Sequence, residues 1–305
     1  MPHLELTLRC RKHDQPRYEA ALEDVGALAI TLLDAQAETG AEQPILEPGV
    51  GETPLWEEIT LAALFPHDAD GARVLAALEA FDDGLDLAGA QWREVEDRDW
   101  ERAWLDQYRP MRFGRRLWVS PWNMDPEDAD PASVVVRLDP GLAFGSGTHP
   151  TTALCLAWLE AQALEGLDLL DFGCGSGVLA IAALKLGAAH ADGIDNDPQA
   201  LAASRDNAVR NGVADRLGLY APEEAPPRRY PRVVANILAG TLEQLAEWIA
   251  GFCAPGGLLA MSGILHGQHE AVIERYAPWF TDFVLAQSED WVRIDARRRA
   301  EPDPR

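Results

Sequence analysis

Lysine is almost missing from this chain of 305 residues. Only Lys12 and Lys185 occur, and 26 basic residues face 50 acidic ones, which leaves a formal net charge of −24 at pH 7. A field of that sign repels nucleic acid and attracts a basic partner, such as a basic protein. General acidity of the host's proteins, as in salt-adapted organisms, would give the same composition. On either interpretation, DNA or RNA is disfavoured as a directly bound partner.

Paired cysteines, long apolar runs and metal-ligand spacings are also absent. The four cysteines are scattered and form no C-x-x-C pair, which is typical of reduced thiols in a cytoplasmic protein. No apolar run reaches the length of a membrane span, and the N-terminal segment has polar residues where a signal peptide needs apolar ones. His266 and His269 have no third ligand nearby in the sequence, so we predict no metal site.

The first 95 residues predict a small separate domain. Their patterning gives the order strand, helix, strand, strand, helix, strand, which is the ferredoxin-like α+β motif. The strands are predicted at 3–9, 27–33, 56–64 and 90–95, and the helices at 16–25 and 69–81. This part carries no reactive cluster, so we interpret residues 1–95 as a binding module. Residues 96–115 are predicted to be a connecting helix or linker, and residues 116–305 the second domain.

A glycine-rich stretch, LLDFGCGSG at Leu169–Gly177, organises the second domain. An apolar strand runs into three alternating glycines, and a segment with helical apolar spacing follows. This strand, turn and helix predict the entrance to a doubly wound parallel sheet, where the helix N-terminus can receive a polar ligand. Glycine suits such a turn because it adopts positive φ and leaves the backbone open to a ligand. The spacing G-x-G-x-G is not the dinucleotide fingerprint, and no GK[ST] phosphate loop occurs.

Three aspartates lie in or just after the next predicted strand, Ala189–Asp195. Asp195 lies eighteen residues after Gly177, near the spacing at which an acid reaches ribose hydroxyls in nucleotide-binding sheets. A carboxylate suits vicinal hydroxyls because it accepts two hydrogen bonds at once. Asp197 can cap the helix that starts at Pro198. We expect Asp192 to be a solvated charge at the strand edge.

The segment DPGLAFGSGTHPTT at Asp139–Thr152 predicts a loop that folds over a ligand. Three of its glycines surround Phe144, and Thr148 can cap a helix beginning near Pro150. A surface turn with a good cap is the alternative. His149 by itself is weak evidence for chemistry, because a lone histidine is usually a local hydrogen-bonding group.

Asn236 ends the apolar strand RVVA and precedes ILAG. A doubly wound sheet places its reacting groups at the carboxyl ends of its strands, the same edge as Asp171 and Asp195. Carbonyl groups there can accept hydrogen bonds from an incoming amine. The alternative is that Asn236 caps a helix at residues 241–250.

The glycine turn resembles the first motif of the S-adenosylmethionine-dependent class I methyltransferases. Together, the loop, the turn, GIDNDPQALAASRDNA and VVANILAG resemble the bacterial methyltransferases of large-subunit ribosomal protein eleven nearly end to end. The resemblance implies a Rossmann-like α/β sheet with a separate N-terminal ferredoxin-like domain that holds the protein substrate. Its implied cofactor contacts are Thr152, Gly173, Asp195 and Asn236, with Phe144, Thr148, His149 and Gly175 as second choices.

The resemblance also implies the activity, which is transfer of methyl groups from S-adenosylmethionine to lysine side chains and the N-terminal amine of ribosomal protein eleven, in the cytoplasm. Asn236 is the candidate for orienting the amine. Glutamine and base methyltransferases carry [ND]-P-P-[YF] after the fourth strand, but Ile237 and Leu238 follow Asn236 here. Another protein or a small-molecule amine as substrate, or a silent cofactor-binding relative, remains an alternative.

Overall fold

The computed structural model describes residues 2–36, 54–95, 108–138 and 149–300. The chain divides into two compact units, Met1–Asp99 and Trp100–Arg305. Part of the predicted connector, residues 96–107, lies outside the described residues. Of the connector's remainder, Met111–Phe113 forms a strand. Across the described residues, no helix combines the length and the apolar character that crossing a membrane requires.

The first unit is a four-stranded antiparallel sheet with two helices. Its elements are β1 (His3–Arg11), α1 (Gln15–Asp24), β2 (Ala29–Asp34), β3 (Glu58–Pro66), α2 (Gly71–Phe81) and β4 (Gln91–Val95). The spatial order β2-β3-β1-β4 is the predicted ferredoxin-like arrangement. Alternation along β1 buries Leu6 and Leu8 in the core with α1, while Glu5, Thr7 and Arg9 occupy the other face. Asp70 begins α2 by accepting hydrogen bonds from two backbone N–H groups.

The second unit holds a three-stranded and a seven-stranded sheet. The smaller sheet contains β5 (Met111–Phe113), β6 (Leu117–Ser120) and β7 (Val134–Arg137). The larger contains β8 (Asp168–Phe172), β9 (His190–Ile194), β10 (Leu217–Tyr220), β11 (Tyr230–Asn236), β12 (Cys253–Leu265), β13 (Phe280–Ser288) and β14 (Trp291–Arg298). Its helices are α3 (Pro150–Ala161), α4 (Val178–Lys185), α5 (Pro198–Arg210), α6 (Ala239–Gln244), α7 (Ala246–Phe252) and α8 (His269–Tyr276).

The order of the larger sheet is β10-β9-β8-β11-β12-β14-β13. The first five strands are parallel, and β14 and β13 are antiparallel to their neighbours. From β8 the chain winds outward to β9 and β10, and then returns to place β11 on the other side of β8. A doubly wound sheet opens a crevice for ligands at such a reversal, beyond the carboxyl ends of the strands. Phe172 and Asn236 end the two strands that flank it.

One predicted helix is replaced by two. The sequence suggested a single helix at 241–250, but α6 and α7 are separate short helices that meet at Leu245. Helix α6 begins at Ala239 after Leu238, and no side chain caps it. The alternative interpretation of Asn236 as a helix cap is therefore wrong.

Asp192 is buried, which corrects the expectation of a solvated charge. Its side chain is 1% exposed. Its carboxylate accepts hydrogen bonds from Arg228 Nη2 at 2.5 Å and Tyr230 Oη at 2.6 Å, and it lies 2.9 Å from His190 Nε2. Space for it exists because Gly218 stands opposite on β10, where a Cβ would lie 2.2 Å from Asp192 Oδ1. A buried carboxylate is stable only when such partners satisfy it.

We expect Asp192→Asn to lower the free energy of unfolding by about 2–4 kcal/mol, since it leaves buried donors around a neutral amide. Urea denaturation followed by tryptophan fluorescence measures this. Asp168→Asn is the matched control, because Asp168 is 39% exposed and accepts only a 3.4 Å bond from Arg228. The Asp168→Asn variant should lose less than about 1 kcal/mol of its free energy of unfolding. Equal losses in the two variants would contradict the assignment.

Candidate functional site

The glycine turn after β8 has the conformation that its sequence predicts. Gly173, Gly175 and Gly177 have φ values of +76°, +53° and +77°, in the region that favours glycine. The backbone N–H groups of Gly173 and Cys174 both donate to Ile194 O on β9, at 2.8 and 3.1 Å. These bonds fix the turn to the neighbouring strand, so the N-terminus of α4 opens at the crevice.

Two of these glycines have a packing requirement that the sequence does not show. A Cβ on Gly173 would lie 2.3 Å from Ile237 Cγ2, and one on Gly177 would lie 2.7 Å from Ser204 Oγ. The space in the Cβ direction of both residues is therefore filled by protein side chains, and the access of a ligand to their backbone stays a prediction. Gly173 and Gly177 are required by packing as well as by φ.

Asp195 follows β9 and is joined to the glycine turn. Its Oδ2 accepts a hydrogen bond from Gly175 N at 2.9 Å, and its Oδ1 accepts one from Asp197 N at 3.0 Å. The side chain is half-buried. Each carboxylate oxygen can accept more than one hydrogen bond, so these contacts orient Asp195 and leave acceptor capacity for a diol. Asp197 caps α5 through Gln199 N at 2.8 Å, as predicted.

Asn236 lies against helix α3. Its Nδ2 donates to Thr152 Oγ1 at 3.2 Å, and Thr152 is buried in the first turn of that helix. This bond sets which end of the amide faces the helix. Asn236 Oδ1 is thus the end that can accept a hydrogen bond from an incoming group.

His149 caps helix α3, and Thr148, the predicted cap, lies outside the described residues. Nδ1 of His149 accepts a 3.4 Å hydrogen bond from Thr151 N and lies 2.8 Å from Thr151 Oγ1. The imidazole also contacts the Trp291 ring edge to face, at 4.8 Å between centroids. Burial lowers the pKa of His149, and the charge of Glu289 opposes this shift.

The other predicted residues of the loop cannot be placed. Phe144 and Thr148, both second choices for the site, lie outside the described residues. Within the predicted loop Asp139–Thr152, the structure describes only the residues from His149 onward. The covering role of residues 139–148 stays a prediction.

Asp171, which the sequence placed only at the end of a strand, lies in the core beside the glycine turn. It is fully buried; its Oδ2 accepts a hydrogen bond from Ala180 N at 3.0 Å, and its Oδ1 is buried with no hydrogen-bond partner among the described residues. Burial raises the pKa of this carboxyl to about 8, the bond from Ala180 lowers it, and the charge of Asp195 raises it. An acid two residues before the first glycine of the turn was the available signal.

The predicted residues form one continuous set at the crevice. Thr152 bonds to Asn236, Ile237 fills the space beside Gly173, and Gly175 bonds to Asp195. The structure therefore brings together the four first-choice positions, Thr152, Gly173, Asp195 and Asn236. Gly175 and His149 lie on the same elements as members of that set.

This sheet order, with a glycine turn after its first strand and an acid after its second, defines a class I methyltransferase with a Rossmann-like sheet. A family model described as "Ribosomal protein L11 methyltransferase (PrmA)" matches residues 2–299. The chain belongs to this family, and it is an S-adenosylmethionine-dependent methyltransferase.

Curated relatives and a solved structure agree with the family model. The ribosomal protein L11 methyltransferase of Stenotrophomonas maltophilia (strain R551-3) is 63% identical over 306 residues, covering 98% of this chain and 100% of that protein. The one from Xanthomonas axonopodis pv. citri (strain 306) is 59% identical over 305 residues, with the same coverage. A crystal structure of ribosomal protein L11 methylase from Lactobacillus delbrueckii subsp. bulgaricus has a TM-score of 0.57 and 29% identity, covering 63% of this chain and 100% of that chain.

The buried Asp171 makes stability depend on pH. Its pKa is raised from 3.8 to about 8 on folding, so the native state holds the proton more tightly than the unfolded state between these values. Its contribution to the free energy of unfolding therefore falls as pH rises from about 4 to 8, by up to about 1.4 kcal/mol per pH unit. Asp171→Asn should remove this slope when urea denaturation is compared across pH. Parallel pH curves for the two proteins would contradict the assignment.

Proposed function

We propose that this protein transfers methyl groups from S-adenosylmethionine to lysine side chains and to the N-terminal amine of ribosomal protein L11. The observation that carries the proposal is the continuous set Thr152, Asn236, Gly173, Gly175 and Asp195 at the crevice of a class I sheet. The names of the relatives that match nearly the whole chain supply the substrate.

The residues present fit S-adenosylmethionine. Asp195 offers oriented carboxylate oxygens for the two ribose hydroxyls, since Gly175 N fixes Oδ2 on the side of the turn. The positive-φ turn at Gly173 to Gly177 brings backbone close to the crevice. Thr152 and Asn236 form the side facing α3. Phe144, Thr148 and His149 remain second choices, because they belong to the predicted covering loop or to its end.

When bound, the cofactor would supply a methyl group on a positively charged sulfur. A neutral amine would take up that methyl group by in-line displacement of the sulfur. Charge disperses in this reaction, so the protein mainly aligns the groups and excludes water. Asn236 Oδ1 accepts a hydrogen bond from the amine N–H and directs the nitrogen lone pair. Its Nδ2 bond to Thr152 keeps the amide from rotating.

The amine must lose a proton before it reacts, because a free lysine is protonated at pH 7. His149 Nδ1 is not available as the acceptor while it accepts the bond from Thr151 N that caps α3. A neutral His149 then carries its proton on Nε2 and acts as a donor. Solvent or a weak base elsewhere therefore receives the amine proton in this proposal.

The N-terminal unit is proposed to hold the protein substrate. The sheet face opposite the helices carries Glu5, Thr7 and Arg9 of β1 beside Gln91 and Arg93 of β4, around a concavity of about 400 Å³. Arg93 Nε donates to Glu5 Oε1 at 2.5 Å, so charges of both signs are present on this face. Such a polar face suits a folded protein partner better than an apolar small molecule.

The overall charge supports a basic protein partner over nucleic acid, because a formal charge of −24 repels phosphate backbones. All four cysteines are free thiols, three of them buried, which supports action in a reducing compartment such as the cytoplasm. A different protein or a small-molecule amine is the competing substrate class.

The substrate is tested with methyl-labelled S-adenosylmethionine and purified ribosomal protein L11. We expect label in L11 alone, with other ribosomal proteins and ribosomal RNA as controls. Asn236→Ala should lower kcat on the order of a hundredfold, because the amine loses its orienting acceptor. Label found only in the control proteins or in RNA would refute the substrate, and full activity of the variant would remove Asn236 from the reaction.

The ribose contact is tested by Asp195→Ala, which should weaken S-adenosylmethionine binding by about 1–3 kcal/mol, the scale of a lost charged hydrogen bond. Isothermal titration calorimetry measures this change. Asp197→Ala is the matched control, since Asp197 lies two residues away and caps α5. It should cost about 1 kcal/mol of stability and leave the affinity unchanged. Equal affinity of the Asp195 variant and the wild type would exclude the contact.

A further inference from the structure

Ile237 connects the amine-orienting residue to the glycine turn. It directly follows Asn236, and its Cγ2 occupies the position beside Gly173 where any other residue would place a side chain, 2.3 Å from an ideal Cβ. Ile237 is half-buried and packs against the core between the sheet and helices α6 to α8. A methyl group is thus inserted between the end of β11 and the turn after β8.

The backbone of Ile237 is held from its other side by β12. Its N–H donates to Ser262 O at 3.2 Å. The next residue, Gly263, has φ +86°, and a Cβ there would lie 2.3 Å from Ile237 O and 2.7 Å from Ile237 C. Two positive-φ glycines, Gly173 in the turn after β8 and Gly263 in β12, therefore enclose Ile237.

We propose that Ile237 is a positioning residue for methyl transfer, which fixes Asn236 relative to the glycine turn through its Cγ2 methyl group. This inference rests on the proposed function of Asn236. Isoleucine is branched at Cβ, and its χ1 rotation is restricted. The Cγ2 contact therefore fixes the distance between the Ile237 backbone and Gly173. Gly263 completes the arrangement, because it lets β12 approach the Ile237 carbonyl.

The relevant displacement of the Asn236 amide is about an ångström. The Asn236 amide is held on one side by Thr152 and on the other through the Ile237 backbone. Removing the Cγ2 contact leaves space beside Gly173, into which the end of β11 and Asn236 can move. Catalytic geometry is sensitive to a displacement of that size, which can cost on the order of a hundredfold in rate.

The test compares Ile237→Val with Ile237→Leu. Valine keeps Cγ2, whereas leucine keeps the heavy-atom number and loses the branch at Cβ. We expect kcat for methylation of L11 to fall about tenfold or more in the leucine variant and to stay within about threefold in the valine variant. KM for S-adenosylmethionine and the urea midpoint should be similar in the two variants. A merely structural role would instead move stability and kcat together.

A second pair of variants tests the contact between Ile237 and β12. Gly263→Ala and Gly256→Ala both place alanine at positive φ on β12, +86° and +74°, but nothing lies within 4 Å of a Cβ at Gly256. Both should lose stability because of positive φ, Gly263→Ala should lose more because its Cβ meets the Ile237 backbone, and only Gly263→Ala should lower kcat about tenfold or more. If Gly263→Ala does not fold, the comparison at Ile237 decides.

The outcomes separate this inference from the proposed function. If Asn236→Ala keeps full activity, the role of Asn236 fails and the inference falls with it. If Asn236→Ala is inactive but the leucine and valine variants have equal kcat, the proposed function stands and the positioning role of Ile237 is overturned. A selective loss in the leucine variant supports both.

Discussion

The pairing of β11 with β8 is the constraint on which the site depends. Ala235 pairs with Phe172 in parallel register, so the next residues along each strand, Asn236 and Gly173, leave the sheet side by side. Nearly sixty residues of chain lie between these strands, and both β9 and β10 are placed on the far side of β8. The crevice follows from that reversal of strand order. A shift of one residue in the register would turn Asn236 to the opposite face.

Two buried carboxylates on adjacent strands, Asp192 and Asp171, have very different surroundings. Asp192 on β9 has three partners, His190 on the same strand and Arg228 and Tyr230 from a distant segment. Within the part of the chain that the structure describes, Asp171 on β8 has one hydrogen bond and an oxygen without a partner, so burial favours its protonated form. The difference lies in the neighbours, since Arg228 and Tyr230 reach the middle of β9. Desolvation without a cation raises an acid's pKa, and pairing compensates for it.

Local patterns were enough to predict most elements and the conformation of the glycine turn. The predicted strand at 90–95 lies at Gln91–Val95, and the predicted cap Asp197 does begin α5. Contacts between distant segments were not readable in the same way. The partners of Asp192 lie up to 38 residues away, and the side chain beside Gly173 comes from β11. Sequence spacing indicated that glycine was needed at 173 for its φ, but the packing requirement was not readable, because no local pattern encodes which methyl group fills the space.

The proposed role of Asn236 accounts for an amide at this position, through the chemistry of the nucleophile. A carboxylate in that position would stabilise the ammonium form of a lysine and raise its pKa, which would keep the lone pair occupied by a proton. The neutral Oδ1 of Asn236 accepts an N–H hydrogen bond without that penalty. Its orientation must then come from packing and hydrogen bonding instead of charge. Thr152 and the backbone of Ile237 provide those restraints from opposite sides, so in the proposed role precise geometry takes the place of electrostatic attraction.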